Sequence, residues 1–181
     1  MTMTSPHVAT PVLTSLVEET RTIVRSGGEP RAIAEGVARV LRPYLGRPDL
    51  LLPHQETPDP DHYCQHILHV EDDGSFSIVS LVWTEGQETC IHDHVSWCVV
   101  GVHRGREFET RYRLDGGRGV LVESGAVTSE VGTVAALTPP GDIHKVANQD
   151  RDLTISIHVY GADIGKLGSS IRRRYDLPVV S

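Results

Sequence analysis

Gly86-Gln-Glu-Thr-Cys-Ile-His-Asp-His94 is followed downstream by Pro139-Pro-Gly-Asp-Ile-His-Lys-Val-Ala-Asn148. Side chains two residues apart in an extended strand point to the same face, so His92 and His94 are predicted to aim at one point. Pro-Pro-Gly reverses the chain and is predicted to deliver His144 at the start of another strand. The chain has 10 histidines, and histidine is the commonest metal ligand. A metal site is therefore expected, although a lone His-x-His also fits two solvent-facing histidines.

Around these motifs the apolar residues alternate with a period of two, which is typical of strands. Turn sequences such as Asp72-Asp73-Gly74 and Asp115-Gly116-Gly117 separate the segments. The predicted strands are Tyr63–Val70, Phe76–Trp83, Ser96–His103, Glu107–Leu114, Gly119–Glu123, Val134–Leu137 and Leu153–Tyr160. Many short strands at this spacing predict an all-β fold, an antiparallel sandwich or barrel.

The N-terminal quarter has a helical period instead. Pro11–Arg25 carries an apolar stripe, and so does the segment that opens with Pro30 and ends before Pro43. Both segments are amphipathic and are predicted to pack outside the barrel. We expect one domain over residues 1–181, with a helical segment over about residues 1–46 and the barrel with its metal site over about residues 60–165.

Composition narrows the class of protein. The chain has 181 residues, of which 39% are hydrophobic and 23% charged, as in globular domains. The net charge of -7 argues against a nucleic-acid partner, because phosphate binding needs clustered Lys and Arg. No apolar run reaches the roughly 20 residues of a membrane span, and no secretory signal is recognised. The cysteines lack paired spacing, which suits a protein of the reducing cytoplasm. We also expect a monomer or weak oligomer.

The last predicted strand carries three polar residues at alternate positions: Ser156, His158 and Tyr160. They share one face, while isoleucines and a valine occupy the other. One interpretation is an exposed polar face. The other is a buried, hydrogen-bonded relay, in which His158 orients the Tyr160 hydroxyl so that it acts on a bound ligand as donor or acid.

The two histidine motifs resemble the two-part signature of the cupin superfamily, G-x5-H-x-H-x3,4-E-x6-G and P-x-G-x2-H-x3-N. The matching positions are Gly86, His92, His94, Gly105, Pro139, Gly141, His144 and Asn148. The resemblance implies a cupin-type double-stranded β-helix, or jelly-roll barrel, around a metal site. Cys98 stands where most cupins place a glutamate ligand. Ligation by imidazoles alone suits Fe(II) chemistry with O2 and also fits zinc.

Taken together, the motifs resemble the cysteine dioxygenase family of thiol dioxygenases over roughly residues 60 to 165. The residues that carry this resemblance are His92-Asp93-His94, His144, Cys98, Ser156, His158 and Tyr160. The family implies a mononuclear Fe(2+) cofactor held by the three histidines, with a small thiol and O2 as substrates. It also implies that both oxygen atoms end on sulfur as a sulfinic acid, and that Ser156, His158 and Tyr160 serve catalysis.

Cys98 bears on the subtype. Animal members of the family carry a Cys–Tyr thioether beside the iron, and most bacterial members have glycine in place of that cysteine. This chain has both Cys98 and Tyr160, and strand parity predicts that Cys98 shares the face of His92 and His94. Cys98 is therefore a candidate catalytic residue, and the alternative is an inert buried thiol.

Gln65 bears on the substrate. Family members that act on L-cysteine usually have an arginine here that binds the substrate carboxylate. The glutamine form resembles bacterial 3-mercaptopropionate dioxygenases, so Gln65 is predicted to bind a thiol carboxylate. Relatives of that form place two arginines soon after the Tyr-Gly, whereas this chain has Gly168-Ser169-Ser170 and then Arg172-Arg173-Arg174. Either the loop brings an arginine to the site or the substrate differs.

Other functions stay open at this point. Within the cupins, a different dioxygenase or a zinc isomerase would use the same ligands. A protein of another class, a non-catalytic metal-binding cupin that senses or stores a small ligand, would also need the three histidines. The polar strand that ends at Tyr160 argues against the latter, because a storage site has no need of an oriented phenol.

Overall fold

The computed structural model describes residues 9–180. The helices are α1 (Pro11–Arg25), α2 (Pro30–Leu41) and α3 (Ile164–Leu167), with 3-10 turns at Arg42–Tyr44 and Pro53–Glu56. Both long helices begin on a proline. A backbone N–H at the first helical position has no intrahelical partner, so the N–H that proline lacks costs no hydrogen bond there. The Thr10 hydroxyl accepts a hydrogen bond from the Leu13 amide at 3.0 Å and so caps α1. Among the described residues, no helix has both the length and the apolar character needed to span a membrane.

The strands form two sheets. In chain order they are β1 (Cys64–Val70), β2 (Ser77–Trp83), β3 (His92–His94), β4 (Cys98–Arg104), β5 (Arg106–Asp115), β6 (Val120–Glu130), β7 (Val134–Leu137), β8 (His144–Ala147), β9 (Thr154–Tyr160), β10 (Ile171–Arg174) and β11 (Val179–Val180). The first sheet has the order β1-β2-β9-β4-β7 and the second β10-β3-β8-β5-β6-β11. Pairing is antiparallel except between β11 and β6. Side chains from β2 and β9 of one sheet and from β3 and β8 of the other line a common cavity, so the sheets face each other.

Strand β9 separates the helices from the barrel interior. Ile155, Ile157 and Val159 belong to the apolar core beneath α1 and α2. Successive side chains of a strand point to opposite faces, so the residues between them point into the barrel. All seven residues of β9 are buried, because the helices cover one face and the second sheet covers the other. The exposed polar face that was open from sequence is therefore excluded.

Most predicted elements are present. Helix α1 has the predicted bounds, and the predicted strands start and end within one or two residues of the observed ones, with one exception. The exception is β6, which continues to Glu130 because its pairing with β5 resumes after a bulge at Ser124-Gly125. Arg111 pairs with Gly125, and the next residue, Tyr112, pairs with Glu123.

Candidate active site

Three histidines converge inside the barrel. His92 and His94 form the ends of β3, His144 begins β8, and His92 lies opposite His144 in the pairing of these strands. Their ring centroids are 4.9, 4.8 and 5.0 Å apart. One ligand atom from each residue lies within 4.8 Å of the others, and all three side chains are buried. The structure thus brings together the three ligands predicted from sequence, and they could hold a metal ion.

Two of these imidazoles are oriented through hydrogen bonds at Nδ1. His92 Nδ1 lies 2.9 Å from the Cys90 carbonyl oxygen, and His94 Nδ1 lies 2.9 Å from Asp142 Oδ2. The same carboxylate oxygen accepts the His94 backbone N–H at 3.0 Å. A carbonyl or carboxylate oxygen only accepts, so Nδ1 carries the proton. The lone pair is then on Nε2, the nitrogen available to a metal.

The third imidazole has the same arrangement. His144 Nδ1 donates to Glu109 Oε1 at 2.8 Å. The other oxygen of Glu109 accepts two hydrogen bonds from the Arg111 guanidinium, at 2.9 and 2.7 Å. Burial acts to raise the pKa of Glu109, but the hydrogen bonds from His144 and Arg111 lower it to about 2. Glu109 is therefore a carboxylate that fixes the ring of His144.

The surroundings keep imidazoles neutral. Burial, with the nearby His144 as a smaller cause, lowers the pKa of His92 to about 3. Burial also lowers the pKa of His94, although the hydrogen bond to Asp142 acts in the opposite direction. A neutral imidazole is the form that binds a metal ion. The donor set and the fixed orientation of the rings fit a metal held by three Nε2 atoms.

The hydrogen-bonded row of polar side chains lies beside this cluster. Ser156, His158 and Tyr160 are 0%, 4% and 3% exposed. Ser156 Oγ lies 2.9 Å from His158 Nε2, and Tyr160 OH lies 3.0 Å from His158 Nδ1. The Trp83 indole N–H donates to Ser156 Oγ at 3.2 Å. The Tyr160 ring centroid is 6.2 Å from that of His94, so the phenol lies next to the three histidines.

The cavity in front of the histidines is small, with a volume of about 30 Å³. Gln65 lies at its edge, and its side-chain amide donates to the Gly168 carbonyl oxygen at 3.4 Å. The other residues that line it are Tyr63, Leu81, Trp83, Thr89, His92, His94, His144, Val146, His158, Tyr160, Ser169, Ser170 and Ile171. Within residues 9–180, this lining contains neither an acidic residue nor a lysine or arginine. The space suits a molecule of few heavy atoms.

The arginines after the Ser-Ser pair point elsewhere. Arg172 forms an ion pair with Asp93, whose side chain turns away from the metal cluster as the alternation predicts. Arg173 lies over the ring of Tyr175, 5.7 Å from its centroid. Burial raises the pKa of Tyr63, and the charge of Arg174 acts in the opposite direction. The loop thus brings serines into the cavity, and Arg174 lies directly opposite His92 in the β10–β3 pairing.

Cys98 lies behind Tyr160. It begins β4 in the first sheet, whereas His92 and His94 lie in the second sheet, so parity along one strand does not relate them. Cys98 is instead directly opposite Tyr160 in the β4–β9 pairing, which places the two side chains on one face. Burial raises the pKa of the Cys98 thiol well above its usual value, and the hydrogen bond with Tyr160 opposes this effect.

Sequence reasoning missed the carboxylates that orient the ligands. Asp142 stands inside the second histidine motif, two residues before His144, and could have been found there. Glu109 alternates with Phe108 in a predicted strand, a pattern that equally fits a solvent-facing glutamate, so it carried no signal for an interior site. Ser169 and Ser170 carried no signal of their own, because only the chain path brings them to the cavity.

Comparisons with known proteins agree with this geometry. A family model described as cysteine dioxygenase type I matches residues 5–168. A solved structure of an uncharacterized conserved protein with a double-stranded beta-helix domain from Klebsiella pneumoniae is similar, with 14% identity, a TM-score of 0.50 and coverage of 65% of this chain and 87% of that one. A cupin superfamily protein from Desulfitobacterium hafniense has 12% identity and a TM-score of 0.48, over 66% of this chain and 95% of that one. The first likeness concerns the fold alone, and it confirms the predicted double-stranded β-helix.

Proposed function

The chain belongs to the cysteine dioxygenase type I family, and from this premise we propose that it is an Fe(II)- and O2-dependent thiol dioxygenase. Its substrate is a small thiol carboxylate, 3-mercaptopropionate or L-cysteine, and its product the sulfinic acid. The observation that carries the proposal is the placement of three inward Nε2 atoms and the Ser156–His158–Tyr160 chain around one small cavity. An oriented phenol next to the ligands supports catalysis over storage or sensing.

His92, His94 and His144 would hold the iron. Their Nδ1 atoms are all engaged by oxygen acceptors, which leaves three neutral nitrogen donors and no carboxylate ligand among them. When bound, Fe(II) supplies O2 activation and a Lewis acid for a thiolate, chemistry that no side chain provides. The protein holds the reactants together in a cavity that excludes most water.

Tyr160 is the proposed proton-handling group. Burial raises the pKa of its hydroxyl well above the usual value, so the phenol keeps its proton at neutral pH and serves as a donor or acid. His158 positions this hydroxyl, and Ser156 positions His158. Cys98, directly opposite Tyr160 across the strand pair, supports the phenol from behind.

The cavity edge favours a carboxylate without an adjacent ammonium. Gln65, Ser169 and Ser170 offer neutral donors at the mouth, and the positively charged Arg174 lies opposite His92 in the β10–β3 pairing. The lining within residues 9–180 has no acidic side chain to receive the ammonium of L-cysteine. We therefore infer that 3-mercaptopropionate, or a related mercaptocarboxylate, has the higher kcat/KM, as in the bacterial branch that the sequence resembles.

We infer further that residues 1–181 form one domain that acts in the cytoplasm as a monomer or weak oligomer. The free cysteines support this location, because thiols persist in reducing compartments.

The test is iron content together with O2 uptake for a panel of thiols. The wild type is expected to bind stoichiometric iron and to consume O2 in proportion to the sulfinate formed. His144→Ala is expected to lose both, and His54→Ala, at an exposed position, to lose neither. Full iron occupancy in His144→Ala, or no O2 uptake by the iron-loaded wild type with any thiol, would overturn the proposal.

A further inference from the structure

A large groove lies on the outer face of the second sheet, on the far side of β3 from the metal cluster. Its volume is about 590 Å³, against about 30 Å³ for the cavity at the histidines. Sites for small organic molecules measure roughly 300–1,000 Å³. Asp93 lines this outer groove, because it alternates along the strand with His92 and His94, which face inward. The proposed dioxygenase chemistry does not use the outer groove.

The floor of the outer groove is aromatic and apolar. Tyr112 and Ile143 are each 8% exposed, and Tyr175 packs against the small core to which they belong. Leu114, which is 36% exposed, lines the groove as well. A flat ring that covers these side chains would remove apolar surface from water, and packing against the tyrosine rings would add to that gain. The floor therefore favours a ligand with an aromatic body.

The rim of the outer groove is positively charged. It holds Arg113 from β5 and both Arg172 and Arg173 from β10. Asp93 is the acidic residue of the lining, and it is already paired with Arg172. Within residues 9–180, neither Arg113 nor Arg173 forms an ion pair, and Arg173 lies over the ring of Tyr175 instead. Two positive charges are thus uncompensated on a chain with a net charge of -7, which favours an anionic ligand.

The two uncompensated arginines stand on opposite rims. Strands β10 and β5 are separated by β3 and β8. Neighbouring strands lie about 4.8 Å apart, which puts the backbones of Arg173 and Arg113 about 14 Å apart. A guanidinium binds a carboxylate through two parallel hydrogen bonds. A ring attached to a carboxylate at Arg173 therefore extends over the aromatic floor toward Arg113.

Strand β10 forms part of both the outer groove and the substrate cavity. Ile171 lines the cavity, whereas Arg172 and Arg173 line the groove. In the β10–β3 pairing, Ile171 lies opposite His94. A ligand held by Arg173 would draw β10 toward the groove, and Ile171 would move with the strand at the cavity wall. The two sites are therefore expected to be coupled.

We propose that the outer groove binds a small aromatic anion, and that this ligand lowers the affinity of the cavity for the thiol. The aromatic ring packs on Tyr112 and Tyr175, and the anionic group pairs with Arg173. The binding site goes beyond the proposed function, whereas the coupling rests on it. Coupling between two sites is reciprocal, so the thiol weakens the binding of the aromatic anion by the same factor.

The test of the site is calorimetry of the anaerobic iron protein with three probes. Naphthoate has the ring and the charge, naphthamide the ring alone and acetate the charge alone, and a naphthalene ring is too large for the cavity at the histidines. Naphthoate is expected to bind at least about tenfold more tightly than either of the others. Arg173→Gln is expected to weaken naphthoate binding about tenfold, and Arg104→Gln, at an exposed position on β4, to leave it unchanged.

Four results would overturn the site. Two are equal affinities of the wild type and Arg173→Gln for naphthoate, and equal affinities of the wild type for naphthoate and naphthamide. The others are a hexaglutamate peptide that binds more tightly than naphthoate, and a wild-type dimer that Arg173→Gln dissociates, because both would give the groove to a protein partner.

The coupling is measured by repeating the naphthoate titration with saturating 3-mercaptopropionate. The Kd for naphthoate is expected to rise about fivefold. Propionate, which has the carboxylate but lacks the thiol, is expected to leave this Kd unchanged. A Kd that responds to neither compound, or equally to both, would overturn the coupling. Absence of thiol turnover in the wild type, with naphthoate binding intact, would overturn the proposed function alone.

Discussion

Asp142→Asn removes one negative charge behind the metal cluster and leaves the shape of the side chain unchanged. Asp142 is buried, and its Oδ2 accepts both the ring and the backbone N–H of His94. Burial acts to raise the pKa of Asp142, but the hydrogen bonds from His94 outweigh it and lower the pKa. The group is therefore charged at neutral pH, and the substitution isolates the effect of that charge on the ligand.

The expected loss follows from the kind of hydrogen bond. A bond to a charged acceptor contributes about 1.5–3 kcal/mol, against about 1 kcal/mol for a neutral one. Replacing the carboxylate should thus weaken the hydrogen bond to the His94 ring by about 0.5–2 kcal/mol, which corresponds to about 2- to 30-fold in metal affinity. The asparagine NH2 would replace Oδ1, which has no hydrogen-bond partner within residues 9–180. It would be a buried donor without an acceptor, so the melting temperature should also fall with or without metal.

The assay is anaerobic competition for Fe(II) against a chromogenic chelator. Asp142→Asn is expected to raise the Kd for iron about tenfold. The matched control is Asp49→Asn, which neutralises an exposed carboxylate paired with Arg47 and is expected to keep the wild-type Kd. An Asp142→Asn protein that binds iron as tightly as the control would refute the reasoning that the carboxylate tunes His94.

Three further changes test other parts of the account. Tyr160→Phe is expected to keep its iron and lower kcat about 10²-fold, and undiminished O2 consumption would make the Ser156–His158–Tyr160 chain structural. Gln65→Arg is expected to move the kcat/KM ratio toward L-cysteine, because a charge-assisted contact exceeds a neutral one by about 1 kcal/mol; an unchanged ratio in the O2 assay would contradict the carboxylate role. Glu71 is buried and accepts two hydrogen bonds from Arg21, and its pKa is lowered from 4.5 to about 2. The ion pair therefore stabilises the fold fully above pH 4.5, and this stabilisation is lost as the pH falls toward 2. Glu71→Gln should therefore unfold at a lower urea concentration than the wild type at neutral pH, and the two unfolding midpoints should converge between pH 4.5 and 2. A difference in midpoint that does not depend on pH would be inconsistent with the ion pair.

The parts of the site that repeat along a strand could be predicted from the sequence. His92 and His94 share a face because they are two residues apart, and the same parity places Ser156, His158 and Tyr160 in one row. Strand alternation alone left open which face is buried. The structure resolves this through packing, since α1 and α2 cover the isoleucine face of β9 and direct the polar row into the barrel.

The parts that depend on register between distant strands could not be predicted. Glu109 reaches His144 because β5 pairs with β8, and no local pattern distinguishes it from a solvent-facing glutamate. Cys98 was placed near the histidines by parity along a single strand, but the chain changes sheets between His94 and Cys98. Its neighbour is Tyr160, through a pairing that only the topology defines.

The most direct test of the central claim is the fate of the oxygen atoms. The iron-loaded protein would be supplied with 3-mercaptopropionate and isotopically labelled O2 in ordinary water, and the sulfur product analysed by mass spectrometry. The account predicts a sulfinic acid in which both sulfinyl oxygens carry the label. A sulfinic acid with only one labelled oxygen, or a disulfide formed without oxygen transfer, would contradict the assignment of this site as a thiol dioxygenase.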